Sequence, residues 1–410
     1  MSQPCRTINS HTPILPAGSR TGRSRYGLAG RRLLYAGLSA ATLLVMGGCK
    51  DTYEPGLRPA DQTILVVEGH LVQGDTTTIS LSRAVELTDT VVFNPELRAR
   101  LTVEGKDNSS VALTDWGLGR YRALLPHLQT GRDYRLRIRT ATGKEYLSDY
   151  VTVKTNPPID SLSWREVTGG VGIYASTHNP ANDSRYYRWE WDETWEIRSN
   201  FRSAWKKGSP TTVVPRKLPQ EDISVCWKTQ ASTSIVLGSS AKLAGDIISE
   251  HPLLIIPPAH EKLAFRYSIL VRQYTLSKEA YEYLDLMRKN SETLGSIFDP
   301  QPSDIKGNIH SVSDPGEMVI GFLTASAVQQ KRMFIARMQI PHWEWYQFCV
   351  TSVVANNPQD IEMYLGPDHQ PYAAAYHPNN PGIIVGWYAS DDECVDCTSR
   401  GGTTKKPSFW

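Results

Sequence analysis

No Asp or Glu occurs among the first 48 residues of this 410-residue chain, although Arg6, Arg20, Arg23, Arg25, Arg31 and Arg32 do. The apolar run 33–46 falls short of the ~20 residues that a comfortable membrane-spanning helix needs. There is no His-Glu-x-x-His zinc signature, Gly-x-Ser-x-Gly elbow, phosphate-binding Gly-Lys loop or dinucleotide fingerprint, so no catalytic residue and no cofactor is assigned by motif. No internal repeat of 20 to 50 residues is visible, which removes solenoids and propellers.

What is present at the start is an ordered pattern. Arginines come first, the apolar run follows, and it stops at Met46-Gly47-Gly48-Cys49, the layout of an export signal with a lipobox-like end. Residues 1–48 read as a signal peptide, Cys49 as the lipidation site and 49–61 as a lipidated linker. Met46 stands where such boxes usually carry Leu, and the basic stretch is long, which points to a start codon downstream of Met1. A disordered tail would not explain the apolar run. Acylation of Cys49 on sulfur and on its new amino group would anchor the chain stably, since two lipid signals already suffice. Lys50, Asp51 and Glu54 resemble the short charged signal that sends some Bacteroidetes lipoproteins to the outer cell surface.

Without its first 48 residues the chain carries 38 basic against 42 acidic residues. That balance excludes the clustered positive face of a nucleic-acid binder. The remaining 362 residues suit two or three domains with real cores. Cys226, Cys349, Cys394 and Cys397 also remain, and in an oxidising compartment an even set reads as disulfides, with three pairings open. Cys394 and Cys397 could instead form a redox or metal half-site. No helix follows to lower a thiol pKa, and no second Cys or His pair stands at ligand spacing.

The fold class reads as mainly β. Alternating runs at 63–68, 77–82, 98–103, 121–125, 134–139 and 146–153 predict an immunoglobulin- or fibronectin-III-like sandwich over 62–156. Tyr134 is expected to tie a turn to upstream backbone, as in the tyrosine corner of such domains. Asn156-Pro157-Pro158 marks the boundary, because consecutive prolines give no ladder donors. Residues 157–410 read as a larger antiparallel β-rich domain with one inserted helix near 278–293.

In that second domain Tyr187, Trp189, Trp191, Trp195 and Ile197 share one face of a long strand. Arg188, Glu190, Asp192, Glu196 and Arg198 share the other, read as solvated. Glu193 interrupts the apolar face, so a bulge or a buried partner is expected beside it. The tryptophans could form a stacking platform for sugars, but the regular alternation favours core. Ser277 caps the helix and Glu279 suits its positive end; Ala280, Tyr281, Leu284, Met287 and Arg288 follow at helical spacing, and Gly295 ends it. Further strands are expected at 265–273, 318–325 and 333–338. His251, His260, His342, His369 and His377 neighbour proline or aromatic residues, which suits packing and capped turns. Asp391, Asp392, Glu393 and Asp396 read as a solvated acidic loop, without the ligand spacing of a calcium loop.

The segment Phe265-Arg266-Tyr267-Ser268-Ile269-Leu270-Val271-Arg272-Gln273-Tyr274, followed by the helix and Gly295-Ser296-Ile297-Phe298-Asp299-Pro300-Gln301-Pro302, resembles a known family. Further matching segments are Pro157-Pro158-Ile159-Asp160-Ser161, Gly307-Asn308-Ile309, Val319-Ile320-Gly321-Phe322, Lys331-Arg332-Met333-Phe334-Ile335, and the tail from Cys394 to Phe409-Trp410. The family is that of Bacteroidetes lipoproteins named domain of unknown function 4249. The resemblance implies an outer-membrane lipoprotein, commonly encoded beside a TonB-dependent receptor, and hence an accessory to nutrient uptake. It brings no catalytic residues. In physical terms, Gly295 and Gly307 suit turns of positive φ, and Pro300 and Pro302 stiffen a loop that Arg266, Arg272 and Gln273 could tie down. The tail reads as a strap packed by aromatics and held by a disulfide.

Three functions fit these observations. The first is an accessory binding lipoprotein of a TonB-dependent uptake system, lipid-anchored in the outer membrane and surface-exposed, or on the periplasmic face. The second is an envelope scaffold or adhesin without a small ligand. The third is a hydrolase whose paired carboxylates leave no local pattern.

Overall fold

The computed structural model describes residues 64–85, 93–292 and 306–410. The export signal, Cys49, the linker with Lys50, Asp51 and Glu54, and the 295–302 loop with Gly295, Pro300 and Pro302 lie outside the described residues. The protein is mainly β, in several antiparallel sheets.

The first body is built from two sheets. One runs Val319–Ile320, Leu65–Gln73, Thr76–Arg83, Arg120–Leu124, Thr114–Gly117 in spatial order; the other runs Ile309–Ser311, Glu145–Ser148, Asp133–Arg139, Arg100–Gly105, Ser110–Ala112. Alternation explains why they pack. Leu65, Val67, Ile79, Leu81 and Tyr121 from the first meet Leu101, Val103, Leu136, Ile138 and Tyr146 from the second in one core. Tyr134 donates its hydroxyl to the His127 carbonyl at 2.6 Å, the upstream tie expected of it.

This body is not contiguous in sequence. Ile309–Ser311 pairs with Glu145–Ser148, while Val319–Ile320 and Ala325–Ala327 pair in parallel with Leu65–Gln73. The expected strand 318–325 is thus two short strands around residues 321–324. Ile309, Val319, Leu323 and Ala325 enter the sandwich core. Buried Glu317 holds the returning segment, accepting from the Tyr146 hydroxyl at 2.7 Å and pairing with Lys144 at 3.2 Å. Gly307 has no positive φ; a Cβ there would collide with the Gly321 carbonyl, so close backbone approach demands this glycine.

In the second body Val225–Ala231, Tyr186–Arg198, Arg266–Thr275 and Gln329–Ala336 form one sheet, packed on Ile159–Val167, Gly170–His178 and Ile247–Ile256. Trp189, Trp191 and Trp195 are core, each 3 % exposed or less, and burial of each contributes roughly 1.5–3 kcal/mol. Glu193 is buried with partners: it accepts from Lys262 and from the Tyr267 hydroxyl, both at 2.8 Å. Glu196, expected in solvent, is only 7 % exposed, because beyond Asp192 both faces of the strand are covered until Arg198. The helix runs Lys278–Glu292, and Ser277 Oγ accepts the Ala280 N–H at 3.1 Å.

A third layer was not anticipated. Thr351–Ala355, Asn380–Asp391 and His369–His377 form a small sheet that packs Val354 and Trp387 on Trp205 and Val213 of the hairpin Trp205–Ser209 and Thr212–Pro215. The tail is strapped to the second body by the Cys226–Cys397 disulfide, and the Cys349–Cys394 disulfide fastens its approach. Trp410 packs against Phe334, and Arg266 lies over both rings.

Candidate functional site

The two bodies meet at a buried knot of amides. Asn156, 8 % exposed, donates to the Ala327 carbonyl at 3.0 Å and to the Gln273 carbonyl. Gln273, fully buried, donates to the Pro157 carbonyl at 2.9 Å and accepts from Trp189 Nε1 at 2.9 Å. Gln330 Nε2 reaches Asp75 on the sandwich at 2.7 Å. The junction residues Asn156-Pro157-Pro158 therefore fix the bodies to each other. Beside the knot Arg272 pairs with Asp192.

Held this way, two outward sheet faces enclose a cleft of about 750 Å³. On the sandwich wall His70, Thr78 and Arg122 form one row, because His70 is opposite Thr78 and Thr78 opposite Arg122 in register. Glu68 and Ser80 form the next row. On the facing wall Arg188 is opposite Tyr274 and Glu190 opposite Arg272. The face of Tyr186–Arg198 read as solvated is thus a wall of the cleft over its first half. Arg188, Glu190 and Arg272 are only about a quarter exposed. Gly69 makes the wall possible: its φ is 132°, and a Cβ would collide with the Thr78 carbonyl.

The electrostatics are partly settled within the protein. Arg188 pairs with Glu190, and Arg272 with Asp192. Some polar atoms are not satisfied. His70 Nε2, Arg122 Nε and Arg188 Nε are sealed from solvent and have no hydrogen-bond partner among the described residues. His70 stands edge-on to Tyr274, ring centres 4.0 Å apart. Burial lowers its pKa to about 4, with Arg188 and Arg272 adding to the effect and Glu190 opposing it, so it is neutral at pH 7. Burial likewise pushes the Tyr283 hydroxyl up to about 12.

The residues singled out from sequence lie elsewhere. Cys226, Cys349, Cys394 and Cys397 are joined as Cys226–Cys397 and Cys349–Cys394, away from the cleft. His251 stacks on Trp189 at 4.7 Å, His260 caps Glu261–Leu263, and His342 is exposed. His369 meets Ser352 at 2.8 Å, and His377 accepts from the Asn379 N–H at 3.2 Å. Asp391, Asp392, Glu393 and Asp396 surround the short helix Asp392–Val395. Among the described residues, no group of three or more His, Cys, Asp and Glu is placed to hold a metal ion, and no helix is long and apolar enough to cross a membrane. His70, Arg122 and Glu68 carry no motif in the sequence. Their only signal was outward alternation, which a solvated face shows equally.

No curated protein gives a significant match to the chain. The model of one family, described as Domain of unknown function (DUF4249), matches residues 50–332, a span that contains both walls of the cleft and leaves out the small third sheet. The match covers well over half of the sequence, and the chain belongs to this family.

Proposed function

We propose that the protein is a lipid-anchored binding protein of the outer membrane, facing the cell surface, that serves as accessory to a TonB-dependent nutrient receptor. One observation carries the binding role: the cleft is held in shape by the Asn156–Gln273 knot and lined by Arg122, whose guanidinium meets no carboxylate among the described residues. A pre-formed cavity with an unpaired cation in its wall suits reversible capture of a solute, because little ordering cost falls on binding. A scaffold without a ligand would leave that cation unexplained. The carboxylates Glu190 and Asp192 are tied to Arg188 and Arg272, which favours holding a solute over the paired-carboxylate chemistry of a hydrolase.

The anchor is supported by the arginine-rich start, the apolar run and Cys49. The partner is supported by the family likeness. Mild-detergent purification of the tagged protein from its native outer membrane tests the partnership: a TonB-dependent receptor is expected in stoichiometric amount. Recovery of the protein alone, from a preparation in which a control complex survives, overturns that partner. Fatty-acid labelling should be lost in Cys49→Ser, and label retained by this variant overturns the anchor.

A further inference from the structure

The cleft has two unlike ends. At one end His70, Thr78 and Arg122 stand on the sandwich wall with Arg188 lining the facing wall. Four residues back along the strand, about 13 Å at ~3.3 Å per residue, the wall becomes apolar. There Val66 lies beside Ile320, Tyr283 and Leu284 arrive from the helix, and Phe322 packs 5.3 Å from Tyr283.

At the polar end one cation has no carboxylate partner, while Glu68 and Asp75 of the same lining have no cation partner among the described residues. Arg188 and Arg272 each meet a carboxylate, whereas among the described residues Arg122 has none and is met only by the Trp116 ring at 4.9 Å. A guanidinium N–H can only donate, so the group that completes this end is an acceptor, and the free charge of Arg122 makes an anion favourable. One spare cation beside Glu190 and Glu68 suits a single carboxylate and disfavours a phosphate dianion. The opposite end asks for apolar surface.

We infer that the cleft binds a small organic acid with one carboxylate on an apolar body, the carboxylate between Arg122 and Arg188 and the body against Tyr283, Leu284 and Phe322. This identifies the solute class and rests on reading the protein as a binding protein.

Calorimetric titration of the purified full-length lipoprotein with 3-phenylpropionate and octanoate is the test, alongside 3-phenylpropanol, 3-phenylpropylamine, inorganic phosphate and maltose. The acids should bind at one site. The alcohol and the amine should bind at least about 10-fold more weakly, because they offer no anionic acceptor. Arg122→Gln and Arg188→Gln should each weaken acid binding by at least about 10-fold, with Arg165→Gln on the outer surface as control. Wild-type melting temperature and circular dichroism certify the variants; if one fails to fold, the acid-to-alcohol ratio on the wild-type protein decides alone. No binding of either acid, equal binding of acid and alcohol, or tighter binding of phosphate or maltose overturns the inference. Co-purification of a receptor without acid binding overturns the solute class and leaves the accessory role standing; failure of both removes both.

Discussion

Asn156 and Gln273 hold each other across 117 residues of sequence: Gln273 Nε2 donates to Asn156 Oδ1 at 3.2 Å, and Asn156 Nδ2 donates back to the Gln273 carbonyl. The Thr275 hydroxyl adds a third bond to Asn156 at 3.1 Å. Asn156→Ala strands these buried groups, so it should cost about 2 to 4 kcal/mol in denaturant unfolding. Lys331→Met, which removes partly exposed bonds to the Ile159 and Asp160 carbonyls, should cost about 1 kcal/mol or less. Equal effects would show that the junction is not the keystone of the two bodies.

Glu193 and Lys262 test the charged interior. Glu193→Ala leaves the Lys262 ammonium, 13 % exposed, without its carboxylate and should cost about 3 to 5 kcal/mol. Replacing both together, as Glu193→Leu with Lys262→Met, should cost markedly less. A double variant as unstable as the single one would refute this assignment of the cost.

His70 should give the stability a pH dependence. Its folded pKa of about 4 lies below the ordinary 6.5, so between these values the unfolded chain binds the extra proton. The contribution is complete above about pH 6.5 and is lost as pH falls through 4. It amounts to roughly 1 to 3 kcal/mol for this ring, which faces Glu190, Arg188, Arg272 and Tyr274. Unfolding of His70→Gln followed from pH 7 to pH 4 should show a shallower slope than the wild type. An unchanged slope would place the proton uptake elsewhere.

The disulfides close loops of 171 and 45 residues. In the chain-entropy description these are worth at most about 5 and about 4 kcal/mol. Cys226→Ser with Cys397→Ser should therefore lower the unfolding midpoint clearly, while the cleft, built from residues 66–322, should keep its ligand affinity. Loss of both together would tie the tail to the site.

Much of the fold was legible where side chains alternate over many residues. The tryptophan strand, the Tyr134 tie and the Ser277 cap each follow from local chemistry, and each is found where expected. What was not legible depends on partners far away. Val319–Ile320 is two residues long, and its pairing with Leu65–Gln73 spans most of the chain, so no local pattern announces it. The cleft failed for another reason. Period-two alternation says that Arg188, Glu190 and His70 point away from a core, but the same alternation serves whether they then meet water or each other's sheet.

The return of residues 309–327 to the first sandwich also sets an order of assembly. A chain that emerges amino end first presents Leu65–Gln73 long before its parallel neighbours exist. Until they arrive, that edge carries unpaired backbone and an open apolar flank containing Leu65, Val67 and Leu71. The earliest part of the described chain is therefore among the last to be finished, and this edge is where a nascent chain is most open to wrong pairing.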